Sequence, residues 1–93
     1  MLDSNSQIVL VTGANRGIGF AIVLQTALRN PLATYILACR SLSSGQTAAK
    51  ELIGQGVKAV LDVVELDITI NSSIIAAAEY VKVKYGRLDG IRS

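Results

Sequence analysis

Histidine and tryptophan are absent from this 93-residue sequence, and cysteine, methionine, proline and phenylalanine occur once each. Without histidine, and with Cys39 as the only thiol, the chain builds neither the His/Cys ligand sets of zinc and copper sites nor a Ser-His or Cys-His nucleophile pair. A lone cysteine makes no internal disulfide, so a disulfide-stapled scaffold is excluded and a reducing compartment fits. Long apolar runs are missing too. No stretch approaches the roughly 18 residues of a membrane span, and the mostly polar Met1 to Gln7 lacks the charged-then-apolar order of a secretion signal. Charge is sparse and scattered, nine Lys and Arg against seven Asp and Glu for a net of +2, which leaves no footprint for nucleic acid. The expectation is a soluble, cytoplasmic protein with neither membrane nor nucleic acid as partner.

What remains is apolar and ordered: 51% of positions are hydrophobic, far from a disordered composition. A chain of this length buries only about 60–65% of its unfolded surface, so the core is thin and a wide sheet would be incomplete. Ile8-Val9-Leu10-Val11 is short and apolar on both faces, as in a strand buried from both sides. From Gly17 the period turns helical through Ile18, Ala21, Ile22, Leu24 and Leu28, and it stops near Asn30 because Pro31 disfavours helical geometry before it. Tyr35 to Cys39 reads as a second strand. Ser43 with Gln46 has the form of a capping box for a second helix, whose apolar face is Ala48, Ala49, Leu52 and Ile53 and whose stop is Gly54 or Gly56. A third strand spans Val60 to Leu66, interrupted by Asp62 and Glu65. A third helix begins near Asn71, with Ile74, Ala78, Val81 and Tyr85 on one stripe and Gly86 as its end. Leu88 to Ile91 looks like the start of a fourth strand. Strands alternating with helices over short connections predict a parallel α/β sheet in one domain, residues 1–93.

Between the first strand and first helix lies Gly13-Ala14-Asn15-Arg16-Gly17-Ile18-Gly19. A strand–turn–helix that must receive a pyrophosphate needs glycine for a sharp turn, for close approach of the backbone to the phosphates, and for tight packing of helix on sheet. The helix N-terminus then presents free N–H groups and the positive end of its dipole to the phosphate oxygens. About 20 positions beyond such a turn, an acidic residue would bond the ribose 2′-hydroxyl, whereas an arginine meets a 2′-phosphate. Here Arg40 stands 21 positions after Gly19, flanked by Cys39 and Ser41 with no carboxylate. With Arg16 as a second cation, NADP(H) is favoured over NAD(H).

The turn, TGANRGIG from Thr12 to Gly19, resembles the TGxxxGxG cofactor turn of the short-chain dehydrogenase/reductase family. The likeness continues through LACRSLSSGQTAAKEL, similar to the carbonyl-reductase branch, then LDIT at Leu66 to Thr69 and KYGRLDG at Lys84 to Gly90. The resemblance implies a partial Rossmann fold, α/β, with a three-stranded parallel sheet in the order 3-2-1, helices on both faces and a fourth-strand stub. It further implies that Gly13, Gly17 and Gly19 form the turn, that Asn15, Arg16 and Ile18 line the phosphates and ribose, and that Asp67 and Ile68 frame the adenine.

Family members carry out NADP-dependent oxidoreduction of carbonyl and alcohol groups with a serine and a Tyr-x-x-x-Lys pair that lie beyond these residues. The resemblance thus implies a cofactor-binding fragment of a carbonyl-reductase-like oxidoreductase, cut short by an early stop or a truncated gene model and without catalysis of its own. The alternative is a non-enzymatic nucleotide-binding or interaction module. Tyr80 and Lys84 match Y-x-x-x-K literally, but they fall on the third helix and read as an ordinary i, i+4 surface pair. Cys39 reads as a small buried hydrophobe, and Lys82, Lys84 and Arg87 as cations at the negative end of the third helix dipole. In the sheet order 3-2-1 the first strand keeps an apolar edge, Ile8 to Val11, through which self-association is expected.

Overall fold

The computed structural model describes residues 7–92; most of the polar N-terminal stretch lies outside them. The β-branched, apolar runs form strands β1 (Ile8–Thr12), β2 (Thr34–Cys39) and β3 (Val60–Glu65), and a short β4 (Gly90–Arg92) follows. Between them stand helices α1 (Gly17–Arg29), α2 (Leu42–Gly54) and α3 (Asn71–Tyr85). All strand pairs are parallel and the order is β3-β2-β1-β4. This is the anticipated α/β architecture with the fourth strand fully enrolled.

That fourth strand corrects the expectation of a free edge on β1. Val9, Leu10 and Val11 pair with Gly90, Ile91 and Arg92. One residue earlier, the Asp89 amide donates to the Ile8 carbonyl at 2.7 Å, and the Ile8 amide donates to Asp89 Oδ2 at 2.7 Å. A carboxylate thus takes the place of a strand carbonyl, so a three-residue strand with Asp89 before it covers β1 from Ile8 to Val11. The outer edges of the sheet are β3 and β4.

Strand alternation divides the core in two. Val9 and Val11, with Tyr35, Leu37 and Cys39, face α1 and α2 and pack on Val23, Ala27 and Leu52. Leu10, Ile36, Ala38 and Val64 point the other way, onto Ala77 and Val81 of α3. Helix α1 ends at Asn30 in a non-helical conformation, as Pro31 requires. Helix α2 starts two residues before the anticipated Ser43 cap: Ser41 is its N-cap and accepts from the Ser44 amide at 3.4 Å, while the Ser43 hydroxyl bonds that of Ser41 at 2.9 Å. Gly86 closes α3 in the left-handed conformation, φ 75°, its amide bonding the Lys82 carbonyl at 3.0 Å.

The buried stripe of α3 also differs from the anticipated one. Ala77 and Val81 are buried, whereas Ile74 and Ala78 stay exposed. The same helix also meets a polar anchor on β3. Asp62 Oδ2 accepts from the hydroxyls of Tyr80 and Tyr85, each at 2.7 Å, and from Lys84 Nζ at 3.0 Å. Lys84 Nζ also reaches the Tyr80 hydroxyl at 3.1 Å and lies 5.4 Å and 5.7 Å from the centres of the Tyr80 and Tyr85 rings. The anticipated Tyr80–Lys84 pair therefore exists, but as part of a four-residue knot with an interior strand position. Burial pushes the Asp62 carboxyl upward, yet the hydroxyls of Tyr85 and Tyr80, with Lys84 and the Val63 amide, outweigh it and hold the group below its ordinary range. Desolvation, then the Asp62 carboxylate, pushes Tyr85 up to about 12, and the bonds to Tyr80 and Asp62 raise Lys84.

Candidate cofactor-binding site

The carboxyl ends of β1, β2 and β3 open onto a cleft of about 650 Å3 beside the N-terminus of α1. Its lining includes Thr12, Gly13, Asn15, Arg16 and Gly17 from the turn, and Arg40, Ser41 and Ser44 from the start of α2. Leu66 and Ile68, just past β3, complete it with Ala38. A crevice at strand carboxyl ends, where α1 and α3 leave on opposite faces, is the usual ligand position of an open parallel sheet.

The three turn glycines act differently. Gly13 and Gly17 have φ of 62° and 63°, the left-handed region that a side chain disfavours, and the space where each Cβ would stand is open. At Gly19 the demand is steric: a Cβ there would overlap the carbonyl oxygen of Gly13. Helix and turn can touch only because that atom is missing.

The two neighbouring helix starts also differ. Ser41 caps α2, whereas the N-cap position of α1 is Arg16, which makes no side-chain cap, and no acidic residue occupies the first turn of α1. The first-turn amides of α1 therefore lack a side-chain acceptor. An anion delivered into the cleft would satisfy them.

Below the turn, the Cys39 side chain is buried and approached by the backbone N–H groups of Ala14 and Asn15. Desolvation raises its thiol pKa despite those contacts, so it is an inert packing group. Gly45 of α2 leaves it room, since a Cβ there would stand 2.5 Å from Val63 Cγ1 and 3.3 Å from Cys39 Sγ.

On the far wall, the Arg40 side chain is 82% exposed, and its Nε lies 3.8 Å from Asp67 Oδ2. Asp67 is tied in place: Oδ1 accepts from the Thr69 hydroxyl at 2.6 Å and the Thr69 amide at 3.0 Å, and its own amide donates to Ser73 Oγ at 2.8 Å. The Thr69 bonds, helped by Arg40, keep its carboxyl below the ordinary range.

Of the candidate residues, Gly13, Asn15, Arg16, Gly17, Arg40 and Ile68 line this one cleft. Asp67 stands at its rim beside Arg40. Gly19 is buried behind the turn, and Ile18 is exposed on the first turn of α1, outside the lining. Ser41 and Ser44 are lining residues that sequence reasoning did not assign. Placing the cap at Ser41, the residue after the strand-end arginine, would have brought both to the cleft. Tyr80 and Lys84 are not in the lining. Their partner Asp62 lies four residues before Leu66, about 13 Å along the strand at ~3.3 Å per residue.

With this arrangement established, the class follows from comparison with known proteins. The short chain dehydrogenase family model matches residues 7–92, and the chain belongs to that family. It is 50% identical over 90 residues to a short-chain dehydrogenase/reductase of Aspergillus fumigatus, covering 95% of this chain and 34% of that protein. Pig carbonyl reductase [NADPH] 1 is 39% identical over 88 residues, covering 95% and 29% respectively. Among solved structures, menthone neomenthol reductase from Mentha piperita superposes with a TM-score of 0.83 at 34% identity, covering 92% of this chain and 30% of that one. A metagenomic short-chain oxidoreductase in complex with NADP gives 0.79 at 28% identity, covering 95% and 39%. The chain thus spans about a third of the length of the relatives it matches.

Proposed function

We propose that this chain is the cofactor-binding part of a carbonyl-reductase-like oxidoreductase, that it prefers NADP(H) to NAD(H), and that it does not reduce carbonyls by itself. The observation carrying the reading is the uncapped start of α1 facing a cleft whose opposite wall holds Arg40. The α1 amides with Gly13 and Gly17 take the pyrophosphate, Asn15 and Arg16 flank it, and Ile18 adds a first-turn contact to the ribose. Arg40 takes a 2′-phosphate, where a guanidinium suits a doubly charged group. Asp67 and Ile68 frame the adenine, and Gly19 keeps the turn seated. When bound, the nicotinamide cofactor supplies hydride chemistry; these residues hold and orient its adenosine half. Tyr80 and Lys84 serve the Asp62 knot and take no part in proton transfer. The names of the NADPH-dependent pig relative and the NADP-bound structural neighbour support the cofactor preference.

Titration calorimetry with NADPH and NADH tests this. NADPH binds more tightly, and Arg40→Ala lowers its affinity roughly tenfold, the value of one charge-assisted contact, while leaving NADH nearly unchanged. Equal losses for both cofactors would remove Arg40 from the 2′-phosphate role. Carbonyl reduction that survives Tyr80→Phe would contradict the absence of catalysis without implicating this tyrosine.

A further inference from the structure

The two helices that flank the cleft meet the sheet by the same device. The buried face of α1 runs Gly19, Val23, Ala27, and that of α2 runs Gly45, Ala48, Leu52. In each, the position nearest the cleft has no side chain. Glycine inside a helix is less stable than alanine, so its place on the buried face of α2 points to a demand for space. That demand is visible in the packing: a Cβ on Gly45 would stand 2.5 Å from Val63 Cγ1 and 3.3 Å from Cys39 Sγ. The wall it would strike is stiff, because Val63 is β-branched and packed against the core. Gly54, at the far end of the same helix, has nothing within 4 Å of its missing Cβ.

The chain neighbours of Gly45 are residues of the cleft. Its amide donates to the Ser41 carbonyl at 3.2 Å, which is the first hydrogen bond of the helix. Ser44 precedes it, and Ser41 directly follows Arg40; all three line the cleft. Arg40 has no tight hold of its own, since its side chain is 82% exposed and lies 3.8 Å from Asp67, a surface pair of the kind that fixes little. The course of Arg40 is therefore set by where its backbone enters α2, and the depth of α2 on the sheet is set at Gly45.

We propose that Gly45 is a positioning residue for cofactor choice: its missing Cβ seats the start of α2 against β2 and β3, and that seating holds Arg40 at the cleft in reach of a 2′-phosphate. Gly45 is buried and outside the lining, so it acts through Arg40 and not by contact. The proposal rests on the reading of Arg40 given above and adds to it the residue that places the arginine.

Calorimetric titration of NADPH and NADH into the 93-residue chain and its variants tests this, with thermal unfolding by circular dichroism as the check on folding. Gly45→Ala is expected to weaken NADPH roughly tenfold, the worth of one charge-assisted contact, and NADH by less than about twofold. Adding Val63→Ala to Gly45→Ala removes the obstruction and restores the preference. The Arg40→Ala/Gly45→Ala pair loses no more than Arg40→Ala alone, because both changes remove one interaction. Gly54→Ala keeps the preference of the unmodified chain. Unchanged preference in Gly45→Ala, equal losses for the two cofactors, no rescue by Val63→Ala, or additive losses in the pair with Arg40→Ala each overturn the proposal. If Gly45→Ala does not fold, Val63→Ile narrows the same gap from the sheet side, and a preference it leaves unchanged overturns the proposal equally. An Arg40→Ala chain that still prefers NADPH removes the underlying reading and the proposal with it, whereas a loss at Arg40→Ala with none at Gly45→Ala removes the proposal alone.

Discussion

On the face covered by α1 and α2, Val11, Val23, Leu37 and Leu52 are wholly buried. On the face covered by α3 alone, Ile36 is as fully buried, but Ile74 stays 41% and Ile91 63% exposed. Both faces are built from alternate residues of the same strands, so strand composition does not separate them. The difference lies in how many helices arrive and what holds each one. Apolar interdigitation fixes α1 and α2, which needs only shape and area. Helix α3 meets a half-empty face and is fixed at one end by Asp62, whose hydrogen bonds have direction and fail when a single partner is lost.

The largest effect that would sharpen this contrast comes from the closed face. Leu52→Ala should destabilise by about 3 kcal/mol through lost burial and an unfilled cavity, whereas Ile74→Ala on the open face should cost under about 0.5 kcal/mol. Denaturant titration monitored by circular dichroism reads both. Similar losses would mean that the open face is packed in solution. Next is Asp62→Asn, which weakens the bonds to two hydroxyls and an ammonium and should cost about 1–2 kcal/mol.

That variant also carries a pH signature. The Asp62 carboxyl sits below its ordinary 3.8, so the folded chain binds fewer protons than the unfolded one in acid. Its stabilisation is present above that value and lost as pH falls through the lower folded value. Asp62→Asn should therefore flatten the acid limb of the stability curve; an unchanged limb would place acid sensitivity elsewhere.

The smallest effect is spectroscopic. Tyr85 is raised from 10.0 to about 12, so its phenol should ionise later than an ordinary tyrosine in an ultraviolet titration. Because the unfolded phenol ionises first, stability from this group is present below 10 and declines as pH rises toward the folded value. Ionisation of all three tyrosines near 10 would show that the knot is open.

Much of the cleft was legible from local pattern. Gly13 and Gly17 are needed for a backbone conformation, and Gly19 for a contact only six residues away in the chain, so their roles depend on near neighbours. Arg40 was legible because a strand of six residues ends beside the turn in any parallel βαβ unit. The start of α2 was misread by two residues because Ser41, Ser43 and Ser44 are all competent caps, and the choice rests on where β2 releases the chain. Asp62 was read as a blemish in a strand. Its three partners are 18 to 23 residues away, and no local rule brings them together.

Sequence alone determined the element order, the parallel α/β class and the phosphate-type turn, since apolar period, glycine placement and strand–helix alternation are short-range properties. Tertiary structure alone decided that β4 closes the edge of β1, through the Asp89 carboxylate standing in for a strand carbonyl. It also decided that α3 buries Ala77 in place of Ile74, and that Tyr80 and Lys84 belong to a structural knot. Each of those outcomes depends on a side chain meeting a partner far along the chain, and only the assembled sheet sets that distance.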